Sequence, residues 1–315
     1  MIFNPASGRG RGARRIRRYL DALQRYLPDA RHGVTTRAGE ESDLAAHAID
    51  DGYTTIVAVG GDGTWSHVAD GILASGRSDV LFGLLPSGTG NDFGRNLALS
   101  HRSPEESVKV LVEGAVRRVD AGRIRTAAAP TDRPHAPAVG RHFLNLVGFG
   151  FDIAVIDAAA RARFLRGELL YKITALQQLF RFPGFEVEVE DEDGVCHDGR
   201  HLMLTVSNGR YFGGGFPIAP RATVSDGRLH ACSIGDATPF ERFRLFNLAE
   251  RGEHPRSPRV RLHASPGFRV RFPAPPRFEV DGDVFQSAEA EVVVEVLPGA
   301  LQVLAAPVSF ARQST

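Results

Sequence analysis

A buried strand that runs directly into a glycine-rich turn limits most strongly how the first third of this chain can fold. Residues 54–59 are β-branched or apolar throughout, which is typical of a strand covered on both faces. The turn GGDGT at 60–64 follows, and a helix is predicted after it. A second unit comes next, with a strand at 81–85, a polar turn at 86–91 and a helix at 104–114. This alternation predicts a parallel sheet covered by helices.

The pattern changes in the second part of the chain. Strands are predicted over 116–125 and 141–147, followed by one long helical region over 152–181. From 185 to 304, short alternating segments separated by turns predict strands only. This spacing is typical of an antiparallel sandwich.

We therefore expect two domains with a cleft between them. Residues 1–118 are predicted to form a three-layer α/β domain with a parallel sheet. Residues 119–304 are predicted to form a β-sandwich domain with one long helical insertion. The C-terminal tail, 305–315, is free to pack back on the first domain.

Composition excludes some partners and locations. A formal net charge of +1 gives no electrostatic basis for a nucleic-acid partner. No apolar run approaches the roughly 20 residues that span a bilayer, and the start, MIFNP, is unlike a secretory signal. We expect a cytoplasmic protein that is peripheral at the membrane at most, and the sequence leaves a homodimer open.

Metal-ligand spacing is absent from the local sequence. The 11 histidines fall into no such pattern, and two cysteines, Cys196 and Cys232, cannot form a metal cluster alone.

The first glycine-rich turn has the features of an anion site. Glycines let the backbone approach a ligand closely, and the N–H groups and dipole of a helix start attract negative charge. Asp62 within the turn would repel a bare phosphate, so it makes sense if Mg²⁺ lies between the two. On this turn alone, a plain strand–helix turn with Asp62 as a helix cap explains the residues as well.

A second turn strengthens the case for a ligand site. The sequence PSGTGNDF at 86–93 again places glycines, a hydroxyl and an acid after a strand. A third polar turn, 4–8, follows the first short strand. Ligands of open parallel sheets bind at the carboxyl ends of the strands, where all three turns are expected.

These motifs resemble, in the same order, the diacylglycerol kinase catalytic-domain family, which includes bacterial soluble lipid kinases and is related to sphingosine kinases. The resemblance is carried by NPASG (4–8), GGDGT (60–64), PSGTGNDF (86–93), FLNLVGFGFD (143–152), SNGRYFGGGFPIAPRATVSDGRL (207–229) and VDGD (280–283). It covers nearly the whole chain and is specific for the superfamily, but it leaves the substrate open.

The resemblance implies that the turns bind ATP. The nucleotide-binding residues that it implies are Asn4, Ser7, Gly8, Thr35, Gly60, Gly61, Asp62, Gly63, Thr64, Trp65, Ser66, His67, Ser87, Gly88, Thr89 and Asn91. The family usually has an Asn-Glu pair where this chain has Ser66-His67, so the sequence departs from the family at the helix start.

The resemblance also places the chemistry. Phosphoryl transfer needs Mg²⁺ and an acceptor for the hydroxyl proton, and Asp62 and Asp92 are the expected metal carboxylates. The base is expected in the family's Asp-Gly-Glu motif, which here reads DGD at 281–283, with a last side chain shorter by about 1.5 Å. We predict Asp283 as the base and Asp281 as the alternative. A plain Asp-Gly hairpin remains the non-catalytic alternative.

A second, structural Mg²⁺ site is implied in the bacterial branch. Asp226 and the main-chain carbonyls of Thr223 and Arg228 match it, and a β-turn without metal explains the same residues.

The leading hypothesis is a lipid kinase that transfers the γ-phosphate of Mg·ATP to a lipid hydroxyl and contacts the membrane surface transiently. The alternatives are a small-molecule kinase of the NAD-kinase type and a catalytically weak relative that binds nucleotide or lipid.

Overall fold

The structure is a computed structural model that describes residues 1–5, 11–37, 39–99, 102–126, 140–161 and 177–306. Its helices are α1 Arg11–Tyr26, α2 Glu40–Asp50, α3 Asp62–Ala74, α4 Asp92–Asn96, α5 Pro104–Glu113 and α6 Phe151–Arg161, with a further helix at Pro239–Glu250. The first strands are β1 Ile2–Phe3, β2 Gly33–Val34, β3 Thr55–Gly60, β4 Leu81–Pro86, β5 Ala115–Thr126, β6 Arg141–Phe143 and β7 Leu146–Gly150. The remaining strands are β8 Phe185–Asp191, β9 Gly194–Ser207, β10 Leu229–Gly235, β11 Val260–Ser265, β12 Gly267–Arg271, β13 Arg277–Val280, β14 Asp283–Gln286 and β15 Glu291–Ala305.

The N-terminal domain has the predicted three layers around a parallel sheet. Strands β4, β3, β1 and β2 lie side by side in that order, and all three pairings are parallel. Ile56 and Ala58 of β3 pack on one face against α2 and α3, while Val57 and Val59 pack on the other against α1 and α5. This two-sided burial explains why β3 is apolar at every position.

The C-terminal domain is the predicted antiparallel β-sandwich. Strands β7, β8, β10 and β12 all pair antiparallel with their neighbours, and a core rich in valine and phenylalanine fills the interior. The other face of β9 and β10 is covered by apolar residues of α6 and of the helix Pro239–Glu250. Among the described residues, no helix has the length and apolarity needed to cross a bilayer.

Strand β15 belongs to both sheets. Its first part pairs antiparallel with β12, whereas Gln302 and Val303 pair in parallel with Leu81 and Phe82 of β4. Strand β5 follows β15 along almost its whole length. The chain thus returns to the first domain at residues 302 and 303, just before the tail predicted at 305–315. Residues 307–315 of that tail lie outside the described part of the chain.

Two sequence-based element predictions need correction, and a third is tested only in part. The predicted strand 141–147 is broken, because the backbone at 144–145 turns its N–H groups towards the carboxylate of Asp281. The segment 185–304 contains a helix, Pro239–Glu250, with Thr238 and Glu241 forming a capping box at its start. Of the predicted helical region, 151–161 and 177–181 are helical, and 162–176 lie outside the described residues.

Candidate active site

The two glycine-rich turns meet at the ends of β3 and β4. Gly60 pairs with Pro86, and its carbonyl accepts the N–H groups of Ser87 at 2.7 Å and Gly88 at 3.2 Å. A Cβ atom at position 88 would lie only 2.6 Å from the Cα atom of Gly61, so a side chain there would push the turns apart. A Cβ atom at Gly63 would meet no atom within 4 Å, so that part of the turn borders open space.

Asp62 joins three parts of the site. It is the first residue of α3, and its Oδ1 accepts the backbone N–H of Phe93, from the second turn, at 2.9 Å. The same oxygen accepts the side-chain amide of Asn145, from the turn between β6 and β7, at 3.3 Å. The carboxylate is therefore fixed by donors from both domains.

Asp92 lies beside Asp62 at the start of α4. The N–H of Gly214 donates to its Oδ2 at 2.8 Å, and its Oδ1, which accepts no hydrogen bond, lies 3.5 Å from Nε of Arg95. A Cβ atom built on Gly90 would lie 3.1 Å from Oδ2 of Asp62 and 3.6 Å from Oδ2 of Asp92. The two carboxylates thus converge at Gly90.

The electrostatics of this pair fit a divalent cation. Burial raises the pKa of Asp92 to about 6, and the negative charge of Asp62 adds to the effect. Two converging carboxylates, one with an oxygen that accepts no hydrogen bond, form the oxygen donor set that Mg²⁺ prefers. The residues present therefore fit a Mg²⁺ ion.

The predicted base motif is a two-residue hairpin turn. Val280 of β13 pairs with Asp283 of β14, and the two turn residues, Asp281 and Gly282, have φ of 49° and 98°. Asp-Gly is favoured in such a turn because both positions need positive φ. The hairpin interpretation is therefore right for the backbone, and the two acids differ in where their side chains point.

Asp281 faces the protein. Its carboxylate accepts the N–H groups of Leu144 at 2.7 Å, Asn145 at 2.8 Å and Leu146 at 3.0 Å. Burial raises the pKa of Asp281, while these donors and the nearby hydroxyl of Ser66 lower it. Asp281 thus holds the turn that carries Asn145 to Asp62.

Asp283 faces His67 at the start of α3. Oδ2 of Asp283 lies 2.8 Å from Nε2 of His67, and the Asp283 side chain remains 47% exposed. Arg141 reaches Nδ1 of His67 at 3.0 Å with one guanidinium nitrogen and Asp70 at 2.5 Å with the other. Because arginine only donates, Nδ1 accepts and the ring proton lies on Nε2, directed at Asp283.

Two acids lie buried behind the hairpin. Asp152 and Glu279 are 3% and 0% exposed, and both lie against Gly148 of β7. Burial raises the pKa of Asp152 to about 7, and burial together with the charge of Asp152 raises the pKa of Glu279 well above its usual value. Such a pair retains a proton at a pH where exposed carboxyl groups have lost theirs.

Some predicted nucleotide residues lie in the core. The Trp65 side chain is fully buried and donates from Nε1 to the carbonyl of Ala58 at 3.2 Å, so it cannot contact a nucleotide. The nucleotide-binding role predicted for Trp65 at the helix start stays a prediction. The side chains of Thr35, Thr64, Ser66 and Ser87 are also largely buried.

Other predicted residues line the turns. Thr89 is exposed at the tip of the second turn, and Asn91, with φ of 52°, donates its side-chain amide to the carbonyl of Gly88 at 2.9 Å. Asn4 donates to Glu41 of α2 at 3.0 Å. Ser7 and Gly8 lie outside the described residues.

Asp226 already has protein partners at the proposed structural metal site. Its Oδ1 accepts the N–H of Arg228 at 3.1 Å, and its Oδ2 accepts the N–H of Thr223 at 3.4 Å and contacts Nε2 of His230 at 3.0 Å. Hydrogen bonds to the protein hold this turn, as in the metal-free alternative, and the second Mg²⁺ site stays a prediction.

The sequence did not predict a role at the site for Asn145, Arg141 or Asp70. Asn145 stands within a recognised motif, but its role depends on Asp62 and Asp281, which are distant in sequence. Arg141 and Asp70 support His67 from β6 and from the next turns of α3. Only the unusual His67 marked this region in the sequence.

Comparisons with known proteins agree across both domains. Residues 1–124 match the family model of the diacylglycerol kinase catalytic domain, and residues 145–305 match that of the YegS C-terminal NAD kinase beta sandwich-like domain. A diacylglycerol kinase of Mycobacterium tuberculosis (strain ATCC 25618 / H37Rv) is 28% identical over 305 residues, 96% of this chain and 93% of its own. One of Bacillus subtilis (strain 168) is 27% identical over 255 residues, 81% of this chain and 79% of its own.

Solved structures share the fold. A diacylglycerol kinase from Bacillus anthracis str. Sterne superposes with a TM-score of 0.71 at 18% identity, covering 97% of this chain and 96% of its own. An NAD kinase from Archaeoglobus fulgidus in complex with ATP gives a TM-score of 0.52 at 14% identity, covering 99% and 95%. At these identities, the likeness establishes the two-domain fold alone.

Proposed function

We propose that this chain, which belongs to the diacylglycerol kinase catalytic-domain family, transfers the γ-phosphate of Mg·ATP to the hydroxyl group of a lipid. The observation that carries the proposal is the contact between His67, just after the first glycine-rich turn, and Asp283 on the hairpin of the second domain. The turn that we propose to bind phosphate and a half-exposed carboxylate thus lie close together, as transfer between a nucleotide and an acceptor requires.

The nucleotide end of the proposed site is the pair of glycine-rich turns. The N–H groups at the start of α3 attract phosphate through the helix dipole, and open space next to Gly63 admits it. Asp62 and Asp92 would hold Mg²⁺, which supplies neutralisation of phosphate charge when bound. Asn145 and Phe93 orient Asp62 for that role, because both donate to its Oδ1.

The acceptor end is Asp283. Its exposed carboxylate can accept the proton of an incoming hydroxyl group, whereas the oxygens of Asp281 face three backbone donors. We therefore assign Asp283 as the base and Asp281 as a residue that positions the turn.

His67 is proposed to position this base. The Asp283 side chain is one methylene shorter than the glutamate of the family motif, and a hydrogen bond from Nε2 of His67 fixes its orientation. Arg141 and Asp70 hold the imidazole ring in turn. On this proposal, the two departures from the family pattern, at 66–67 and at 283, compensate for each other, because His67 orients the shorter side chain of Asp283.

The lipid acceptor is proposed from the curated relatives, which are named diacylglycerol kinases. A lipid acceptor also implies transient contact with a membrane surface. Arg17 and Arg18 of α1 are exposed and offer positive charge to anionic headgroups.

The test offers the purified chain labelled ATP, Mg²⁺ and separate acceptors: diacylglycerol, monoacylglycerol, sphingosine, ceramide, a polyprenol and NAD. We expect label in a lipid product, with diacylglycerol the most active. Label in NAD alone would replace the proposal with the NAD-kinase alternative. ATP binding without label in any acceptor would identify a nucleotide-binding relative that lacks turnover.

A further inference from the structure

We propose that Asp191, Cys196 and His263 form a zinc site in the C-terminal domain. These residues lie on β8, β9 and β11, which carry none of the cleft residues described above. The site is therefore independent of the proposed kinase chemistry. Its ligand would be a divalent zinc ion bound by one oxygen, one sulfur and one nitrogen of the protein.

The three side chains converge although they are distant in sequence. One donor atom from each, a carboxylate oxygen, a thiol sulfur and an imidazole nitrogen, lies within 4.8 Å of the other two. Zinc binds such atoms at about 2.0–2.3 Å, so a single ion can reach all three after small side-chain adjustments. No local spacing could reveal this cluster, because the third residue belongs to another strand.

A β-bulge sets the direction of Cys196. Val189 of β8 lies opposite His197 of β9, whereas the next residue, Glu190, lies opposite Val195. Cys196 is therefore an extra residue in β9 without a partner in β8. Bulges redirect side chains at functional positions, and this one places the thiol beside Asp191.

Asp191 supplies a buried negative charge. Its side chain is 2% exposed, and one oxygen accepts the N–H of Asp193 at 2.9 Å. The other oxygen, Oδ2, accepts no hydrogen bond and touches Nε2 of His263. A carboxylate removed from water in this way is stabilised by positive charge, which a bound metal would add to the contact with His263.

His197 is an independent sign of a ligand at this point. It is 2% exposed, and within the described part of the chain neither ring nitrogen has a hydrogen-bond partner. His197 directly follows Cys196 in β9, and its ring centroid lies 6.4 Å from that of His263. It lies beside the cluster and is not one of the three converging donors.

The mixture of donors selects zinc among common divalent ions. Thiolate and imidazole ligands suit Zn²⁺, whereas Mg²⁺ and Ca²⁺ prefer oxygen alone. In the free site Cys196 is a thiol, because its Sγ donates to the carbonyl oxygen of Val189 at 3.4 Å. When zinc binds, the S–H bond breaks, a sulfur–zinc bond forms and the proton passes to solvent.

The test uses the full chain after treatment with a chelator. Zn²⁺ is titrated in competition with a chromophoric chelator, and Co²⁺ serves as the spectroscopic probe. We expect tight uptake of Zn²⁺ by each chain and a thiolate-to-cobalt charge-transfer band. Cys196→Ser should abolish that band, and both Cys196→Ser and His263→Ala should weaken zinc binding by roughly 100-fold.

Cys232→Ser is the matched control. Cys232 is the other cysteine, fully buried among apolar side chains, and its replacement should leave both the band and zinc affinity unchanged. His263 is 37% exposed, so His263→Ala tests the site without a large change in the core, and circular dichroism verifies the fold of each variant. Failure of the wild type to bind Zn²⁺, or unchanged affinity in both site variants, would overturn the proposal.

Discussion

Two groups of acids flank the Asp-Gly-Asp hairpin, and their surroundings differ more than their sequences do. The cleft acids, Asp62, Asp92 and Asp283, either converge on a space that fits a cation or remain open to an acceptor. The rear acids, Asp281, Asp152 and Glu279, face backbone donors or each other. On the proposed function, carboxyl groups on one side of the hairpin take part in the reaction, and those on the other side stabilise the fold.

Asp281 and Asp283 show this contrast most closely, since only Gly282 separates them. The tight turn directs the first carboxylate to three N–H groups and the second to His67. Variants of the cleft acids should therefore lose activity and keep their stability, while variants of the rear acids should lose stability.

Asp62→Asn should have the largest effect. It removes one of the two negative charges at the proposed metal site while retaining the oxygen that accepts from Phe93 and Asn145. We expect kcat to fall by about 10³-fold or more, because the transferring phosphate loses electrostatic stabilisation. Kinase assays across Mg²⁺ concentrations measure the loss, and the melting temperature serves as the control. Near-normal activity would remove Asp62 from the metal site.

Asp283→Asn and Asp281→Ala should separate the two sides of the hairpin. Loss of the base should lower kcat by about 10²-fold with little change in the free energy of unfolding. Loss of the Asp281 carboxylate leaves three backbone donors without their acceptor and should lower that free energy by about 3 kcal/mol. Urea unfolding and kinase assays on both variants measure the two effects. A loss of activity in Asp281→Ala together with a loss of stability in Asp283→Asn would make Asp281 the base and Asp283 the positioning residue.

The buried pair should make stability depend on pH. Since the folded state raises the pKa of Asp152 to about 7 and also raises that of Glu279, their stabilising contribution is complete below the unfolded-state values and is lost as pH rises through about 7. The double variant Asp152→Asn/Glu279→Gln cannot titrate. Relative to it, the wild type should lose about 2 kcal/mol of unfolding free energy between about pH 5 and about pH 8.

Urea unfolding of wild type and double variant at both pH values measures this difference. Parallel stability curves would show that the pair ionises without cost, contrary to its burial.

His67→Ala should have the smallest effect, about a tenfold fall in kcat with an unchanged KM for ATP, because it removes a positioning contact and not the base. His67→Gln should recover most of the loss, since its side-chain amide can donate to Asp283. A change confined to the KM for ATP would instead make His67 a nucleotide contact.

The sequence predicted the elements that carry much of the site, because local patterns reflect local structure. The apolar run 56–59 predicted a strand buried on both faces, and the glycine-rich turns predicted where the cleft acids lie. The capping box at 238–241 carried a local signal for a helix, but the surrounding strand pattern obscured it.

The rest depends on contacts between distant residues. The strand predicted at 141–147 breaks because a carboxylate from residue 281 captures its backbone N–H groups. Trp65 follows a phosphate-binding motif, yet its place in the core depends on β3 beneath it. The cluster at 191, 196 and 263 depends on a bulge and a third strand. No short-range pattern encodes such pairings.

Strand β15 has a consequence for how the protein is made. The N-terminal sheet gains its edge partner only when residues 302 and 303 pair with 81 and 82. During synthesis, one edge of β4 therefore stays unpaired until residues 302 and 303 have left the ribosome. Unpaired strand edges invite association between chains, so we expect rapid completion of the chain to limit association through that edge.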